Sequence, residues 1–400
     1  MKFKLFLLAS LLIFSCNSSD NVSISLYNFL PNESSVIINI NDLNNTKEIL
    51  NKNKILPIVF SSTKEISTQL NLLSNKNSEK EGILSLSNYG KDEVAFAYIR
   101  KSNSFDSIQK GDKLKNKYQK SEIFFQEDNG NEIYKVIIGE YLVSSNKDII
   151  LENIIRDFYS KKGEIDPQLN KILKTTDLSE PFNIYTKSDN LDNFKNELSE
   201  ISFFPKSNTS WVGYDFNFSI ENLYLTGITK IRDSINGKIS ILKNINASET
   251  KTDKIIPNSF LTFLTFSTSN PDRFIFNLED YLKFNDISTK SLNFNFLNII
   301  DEISFVEDQE KFVILNLINK EQVDNYFKLE EFDNNYNIKK IDFDEDVEIL
   351  FKIIDNEMFG EYAVLLGDQL VITKSVSQIK KIINSLNIND NLGSNEKYLN

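Results

Sequence analysis

The chain has 400 residues and carries 45 Lys+Arg against 57 Asp+Glu, a net charge of −12; it has no histidine and one cysteine. An acidic chain of this kind is repelled by phosphate backbones, which argues against a nucleic-acid partner. Without histidine there is no Ser-His-Asp arrangement, and one thiol gives neither a cysteine-zinc cluster nor an internal disulfide. The twelve glycines form no GxGxxG or GxxxxGK[ST] pattern, so no nucleotide cradle and no cofactor is expected.

The first element is a leader. Lys2 and Lys4 precede an apolar or small run from Leu5 to Phe14, the layout of a secretory signal. That run is too short to span a bilayer, which takes about 20 residues in a helix. Cleavage after Ser15 leaves Cys16 as the new N-terminus. Ile13-Phe14-Ser15-Cys16 resembles the lipobox of bacterial lipoproteins, with Phe14 where that motif has a small residue. The resemblance implies acylation of Cys16 by chains of the palmitate class and anchoring to a lipid bilayer. Asn17 behind the cysteine implies sorting to the outer membrane of a bacterial cell envelope. Residues 1–15 then form the signal peptide and 16–28 a lipidated tether.

The remainder reads as a tandem repeat, 29–254 and 255–400. Four matches recur in one order. Leu30-Pro31-Asn32 with Val36–Ile40 is echoed by Ile256-Pro257-Asn258 with Thr262–Phe266. Asp92-Glu93-Val94-Ala95-Phe96-Ala97 is echoed by Asp301-Glu302-Ile303-Ser304-Phe305-Val306. Asn131-Glu132-Ile133-Tyr134 is echoed by Asn356-Glu357-Met358-Phe359, and Gly139-Glu140-Tyr141-Leu142-Val143 by Gly367-Asp368-Gln369-Leu370-Val371. The offsets are 226, 209, 225 and 228 residues.

Each copy predicts a three-stranded meander. In the first, Glu122–Glu127 and Glu132–Ile138 flank a turn at Asn129-Gly130, and Gly139-Glu140 turns the chain into Tyr141–Ser145. In the second, the strands are Val347–Ile354, Met358–Leu366 and Gln369–Thr373. A helix follows each meander, opened by Ser145-x-x-Asp148 or Ser375-x-x-Gln378 as capping boxes. Leu151, Ile154, Ile155 and Phe158, like Ile379, Ile382, Ile383 and Leu386, fall at helical spacing. Copy one continues through Phe182–Thr186, a helix from Asn190 to Ile201, Trp211–Phe218, Leu223–Ile231 and a hairpin at Asn236-Gly237 onto Lys238–Leu242. No counterpart precedes Asn400, so an incomplete second copy with an unfinished sheet, and a longer natural product, are expected. The fold class is α+β, with antiparallel β-meander sheets, helices packed on one face, and tandem duplication.

This combination of the Cys16 region, the Pro-Asn strand start, the Asp-Glu strand and the Gly-x-x-Leu-Val turn resembles uncharacterised flavobacterial-type envelope lipoproteins that repeat an α+β domain. The resemblance implies location and fold, and it transfers no catalytic residue.

Among chemistry-bearing clusters, alternation on a strand would place Asp342, Asp344, Asp346 and Glu348 on one face, either as a hard-cation site or as a solvated face opposite Phe343 and Val347. Asp92-Glu93 and Asp301-Glu302 are carboxylate pairs of the type a glycosidase needs, but strand neighbours point to opposite faces. Trp211 alternates into a strand interior. Asp106-Ser107-Ile108 and Asp233-Ser234-Ile235 resemble O-glycan attachment sites. The reading these features favour is a non-catalytic envelope lipoprotein acting as a binding or assembly scaffold for envelope protein partners. A surface hydrolase using a carboxylate pair, with glycans as a candidate substrate, and a carrier or chaperone for apolar ligands are the alternatives.

Overall fold

The computed structural model describes residues 24–54, 56–59, 63–74, 81–90, 93–102, 112–128, 130–160, 164–187, 209–218, 223–231, 238–267, 270–288, 292–355 and 360–395. One sheet contains β1 (Ser34–Ile40), β2 (Gly82–Tyr89), β3 (Glu93–Lys101), β4 (Lys113–Tyr118), β5 (Ser121–Asp128), β6 (Asn131–Ile138), β7 (Tyr141–Ser145), β8 (Phe182–Thr186), β9 (Thr209–Phe218) and β10 (Leu223–Ile231). The other contains β11 (Thr262–Ser267), β12 (Ile300–Glu307), β13 (Lys311–Leu317), β14 (Lys328–Asp333), β15 (Ile338–Asp342), β16 (Tyr362–Leu366) and β17 (Gln369–Thr373). Their orders are β10-β9-β8-β1-β2-β3-β7-β6-β5-β4 and β11-β12-β13-β17-β16-β15-β14. Setting β8 to β10 aside, both sheets run first, second, third, seventh, sixth, fifth, fourth. The chain is α+β and carries one antiparallel architecture twice, each sheet in its own compact body.

The recurring residues are the ones that hold this topology. Gly139 and Gly367 sit at φ +61 and +65 in the turns from sixth to seventh strand, where a side chain would be strained. The Pro31 carbonyl accepts from the Ser34 N–H, and that of Pro257 accepts from the Phe260 N–H, so both first strands enter through the same turn. Asn32 Nδ2 then donates to Asp157 Oδ2 at 2.6 Å, and Asn258 Nδ2 to Asp390 Oδ1 at 2.7 Å. These bonds tie the start of the first strand to the helix after the seventh, or just beyond it. That long-range tether explains why Pro-Asn recurs.

The helices are α1 (Leu43–Lys52), α2 (Thr63–Leu73), α3 (Asp148–Tyr159), α4 (Pro167–Leu173), α5 (Pro271–Phe284), α6 (Glu345–Asp355) and α7 (Val376–Asn387), besides shorter turns. The expected post-meander helices are α3 and α7. Ile150, Leu151, Ile154 and Ile155 of α3 pack on Ile37, Ile83, Ala97, Ile99, Val136 and Val143. Ile379 and Ile382 of α7 pack on Val306, Phe312, Ile314, Val364 and Val371. In the second body the opposite face is covered too. There Phe274, Leu278 and Leu282 of α5, with Val347, Leu350 and Phe351 of α6, pack on Ile303, Phe305, Val313, Leu315 and Ile372. Strand alternation requires this, because β13 reads apolar at every position from Phe312 to Leu315, so both faces need cover.

Several expectations are corrected. The Asp-Glu match pairs the wrong strands: Glu93 opens the third strand of its sheet, whereas Glu302 lies in the second strand of the other. Its offset of 209 was the odd one of the four. Val347–Ile354 is not a strand but part of α6, inserted where the first copy has the β5–β6 hairpin; β15 supplies the third meander strand. Lys238–Leu242 forms a 3-10 helix, and its Ile241 joins the core of the second body. Ser145 does not cap α3. Its hydroxyl donates to the Phe96 carbonyl and accepts from the Lys147 N–H, while Ser375 does cap α7 by accepting from the Gln378 N–H. The helix expected at 190–201 lies outside the described residues.

Candidate functional site

Ser15 and Cys16 lie outside the described residues, as do Asp92, Asp106-Ser107-Ile108 and Asp233-Ser234-Ile235. Asp342, Asp344, Asp346 and Glu348 do not share a strand face, because the strand ends at Asp342 and the helix begins at Glu345. Acids in a first helical turn are stabilised by the helix dipole, which accounts for Glu345, Asp346 and Glu348 there. Asp344 pairs with Lys328 at 2.9 Å and Glu348 with Lys352 at 3.0 Å, four residues on. Among the described residues no three His, Cys, Asp or Glu side chains form a metal-holding group.

A dense polar network surrounds Glu302, which is 2% exposed. Its Oε2 accepts from the Lys251 N–H at 2.7 Å and its Oε1 from the Thr252 hydroxyl at 2.8 Å. Thr252 also shares a hydrogen bond with Ser304, and Ser304 with Thr265 at 2.6 Å. Asp301 accepts from the Lys251 ammonium and, at 2.6 Å, from Asn316 Nδ2. Gln369 Nε2 closes the network on Asn316 Oδ1 and the Lys251 carbonyl.

Simple alternation would send Asp301 and Glu302 to opposite faces. The ladder with β13 shifts register between Ile300 and Glu302, and this bulge brings both carboxylates to Lys251. Burial pushes the Glu302 carboxyl above the usual carboxylate range, against the pull of its hydrogen bonds from Lys251 and Thr252. The Lys251 ammonium is held up by its hydrogen bond to Asp301. The lone pairs of Glu302 are aimed at donors of the turn Thr252–Lys254, so the chemistry served is attachment of that turn to β12. No local pattern in the sequence marks this, since Thr252 and Glu302 are fifty residues apart.

In the first body, Trp211 is buried as its strand pattern implies, and its Nε1–H donates to Asp166 Oδ2 at 3.0 Å. Asp166 also caps α4 through the Gln168 N–H. Burial alone would raise the Asp166 carboxyl, but Trp211, the Gln168 and Leu169 N–H groups and Lys187 together hold it below the usual range. Fully buried Asn183 donates to Asp215 Oδ1 and accepts from Asn41, fastening β8 to β1 and β9. Glu93, the described member of the other acidic pair, forms a surface ion pair with Lys147 at 2.7 Å.

No family model matches the chain, and no curated protein matches it. Two crystal forms of TP0453, forms I and III, align with it at 8% identity and a TM-score of 0.27. They cover 92% and 91% of this chain and 99% and 100% of theirs. A likeness at that level carries no functional argument.

Proposed function

We propose that the protein is a lipid-anchored bacterial envelope protein, sorted to the outer membrane through acylated Cys16, whose two α+β bodies act as a non-catalytic scaffold for binding or assembly. The observation that supports this reading is the duplication itself. One seven-strand topology occurs twice, and its recurring Gly139/Gly367, Pro31/Pro257 and Asn32/Asn258 all serve turns and tethers. Two related bodies on one chain can bind jointly with far more avidity than either alone, provided that their partners reach both.

Anchoring is tested by mass spectrometry of the mature N-terminus from membrane fractions. The expected product begins at an acylated Cys16, and Cys16→Ser should move the protein to the soluble fraction. An unmodified peptide spanning Ser15 and Cys16 would remove the anchor. The non-catalytic part is tested by incubating the full chain with a polysaccharide panel. Turnover lost in Asp301→Asn or Glu302→Gln with no loss of stability would replace the scaffold by a hydrolase.

A further inference from the structure

The fourth strand of each body, β4 or β14, forms the outer edge of its sheet. Among the described residues β4 pairs with β5 alone and β14 with β15 alone. The two strands occupy the same topological position with opposite charge. β4 reads Lys113-Leu114-Lys115-Asn116-Lys117-Tyr118, and β14 reads Lys328-Leu329-Glu330-Glu331-Phe332-Asp333. Each edge also holds out one large apolar side chain: Leu114 is 51% exposed and Phe332 48%.

Charged residues and bulges on an edge strand ordinarily guard against pairing, and both edges have a register shift, at Leu114/Asn116 and Glu331/Asp333. Such guarding is selective by sign. Two β4 edges would oppose lysines to lysines and two β14 edges would oppose acids to acids, both destabilising. A β4 edge meeting a β14 edge has no such penalty. In the antiparallel register that sets Lys113 against Asp333, Leu114 meets Phe332, Lys115 meets Glu331 and Asn116 meets Glu330. Glu331, exposed, and Asp333, half-buried, already have cationic neighbours within the body, Lys339 at 3.6 Å and Lys380 at 3.3 Å, so a second lysine row adds to these pairs and competes most readily for Glu331.

We propose that the partner of these edges is a second copy of this chain, the β4 edge of one copy adding to the β14 edge of the next. This deepens the scaffold reading by naming what assembles. Because the two edges differ, the contact is heterologous and propagates head to tail into a ring or an open filament.

The test is the mass of the purified full chain, in detergent if acylated, by sedimentation across a concentration series. The expected result is association that grows with concentration and weakens as salt rises from about 0.05 to about 0.5 M. Reversing β4 (Lys113→Glu, Lys115→Glu, Lys117→Glu) should weaken association about tenfold or more, and so should reversing β14 (Glu330→Lys, Glu331→Lys, Asp333→Lys). The first variant has two acidic edges and the second two basic ones, so mixing them should restore assembly. Restoration also shows that both variants are folded. A single-chain mass throughout, association unchanged by either reversal, or a mixture that stays apart would each overturn the proposal. Anchoring and turnover are read in other experiments, so the scaffold reading and this one can fail separately.

Discussion

Gly360 offers the sharpest test of how the second sheet closes. It lies just before β16 at φ +79, and a Cβ built there would stand 2.5 to 2.6 Å from the backbone N, C and O of Thr373. Thr373 is fully buried at the end of β17, and its carbonyl accepts from the Glu361 N–H at 3.1 Å, so it has little room to retreat. Gly360→Ala therefore carries a left-handed backbone penalty of about 1–2 kcal/mol. Backbone displacement adds about 1–3 kcal/mol, and the strained Glu361 hydrogen bond about 1 kcal/mol. The sum is about 3–6 kcal/mol. Gly367→Ala is the matched control, with φ +65 and nothing within 4 Å of the built Cβ, and should cost only about 1–2 kcal/mol. Hydrogen exchange read by mass spectrometry localises the effect: amides of β16 and β17 should exchange on the order of 100-fold faster in Gly360→Ala. Equal losses in the two variants would refute the argument, because they would leave the left-handed conformation as the only cost.

Glu302→Gln keeps an acceptor for the Lys251 N–H, turns its amide N–H toward the Thr252 hydroxyl as a donor, and removes the buried charge. A raised carboxyl favours the fold below its unfolded pKa, about 4.3, and loses that contribution as pH rises through the higher folded value, so the variant should gain on the natural chain as pH rises above the unfolded value. Urea midpoints that keep a constant gap would contradict it. Lys381→Met leaves Asp308, 5% exposed, with Gln378 and Ser259 at 3.4 Å as its side-chain partners, and should cost about 1–3 kcal/mol. Adding Asp308→Asn should recover part of that cost, and no recovery would mean that the charge was not the cause. Trp211→Phe removes a donor to a carboxylate held low, at about 1.5–3 kcal/mol near neutrality. Its cost should shrink as acid protonates Asp166, which circular dichroism melts at two pH values would detect.

The legible part of the fold was the part written in local chemistry. Gly139-Glu140 and Gly367-Asp368 announce turns because positive φ favours glycine, and α3 and α7 are visible as apolar residues at helical spacing. Where the reading failed, two local patterns competed. Val347-Glu348-Ile349-Leu350-Phe351 alternates weakly like a strand, but Val347, Leu350 and Phe351 also lie three and four apart, and the acidic first turn favours the helix. The Glu302 network was not legible, since it depends on a bulge and on a turn fifty residues away. The opposite-face rule for Asp301 and Glu302 was sound for a regular strand and failed at the bulge.

The duplication supplies an internal comparison that a single domain lacks. Positions recurring at offsets of 226 to 228 residues, Pro31/Pro257, Asn32/Asn258 and Gly139/Gly367, govern turns and tethers, so they report what the topology needs. The offset of 209 marked a coincidence, and strand order settles the matter by giving Glu93 and Glu302 different places. The same comparison isolates what the topology does not need. An edge strand must only pair on its inner side, and both β4 and β14 do so with equal success while one carries lysines and the other acids. Folding therefore does not fix the sign of either edge. Opposite signs at equivalent edges are what directional assembly requires, and charge reversal with mixing decides whether they serve it.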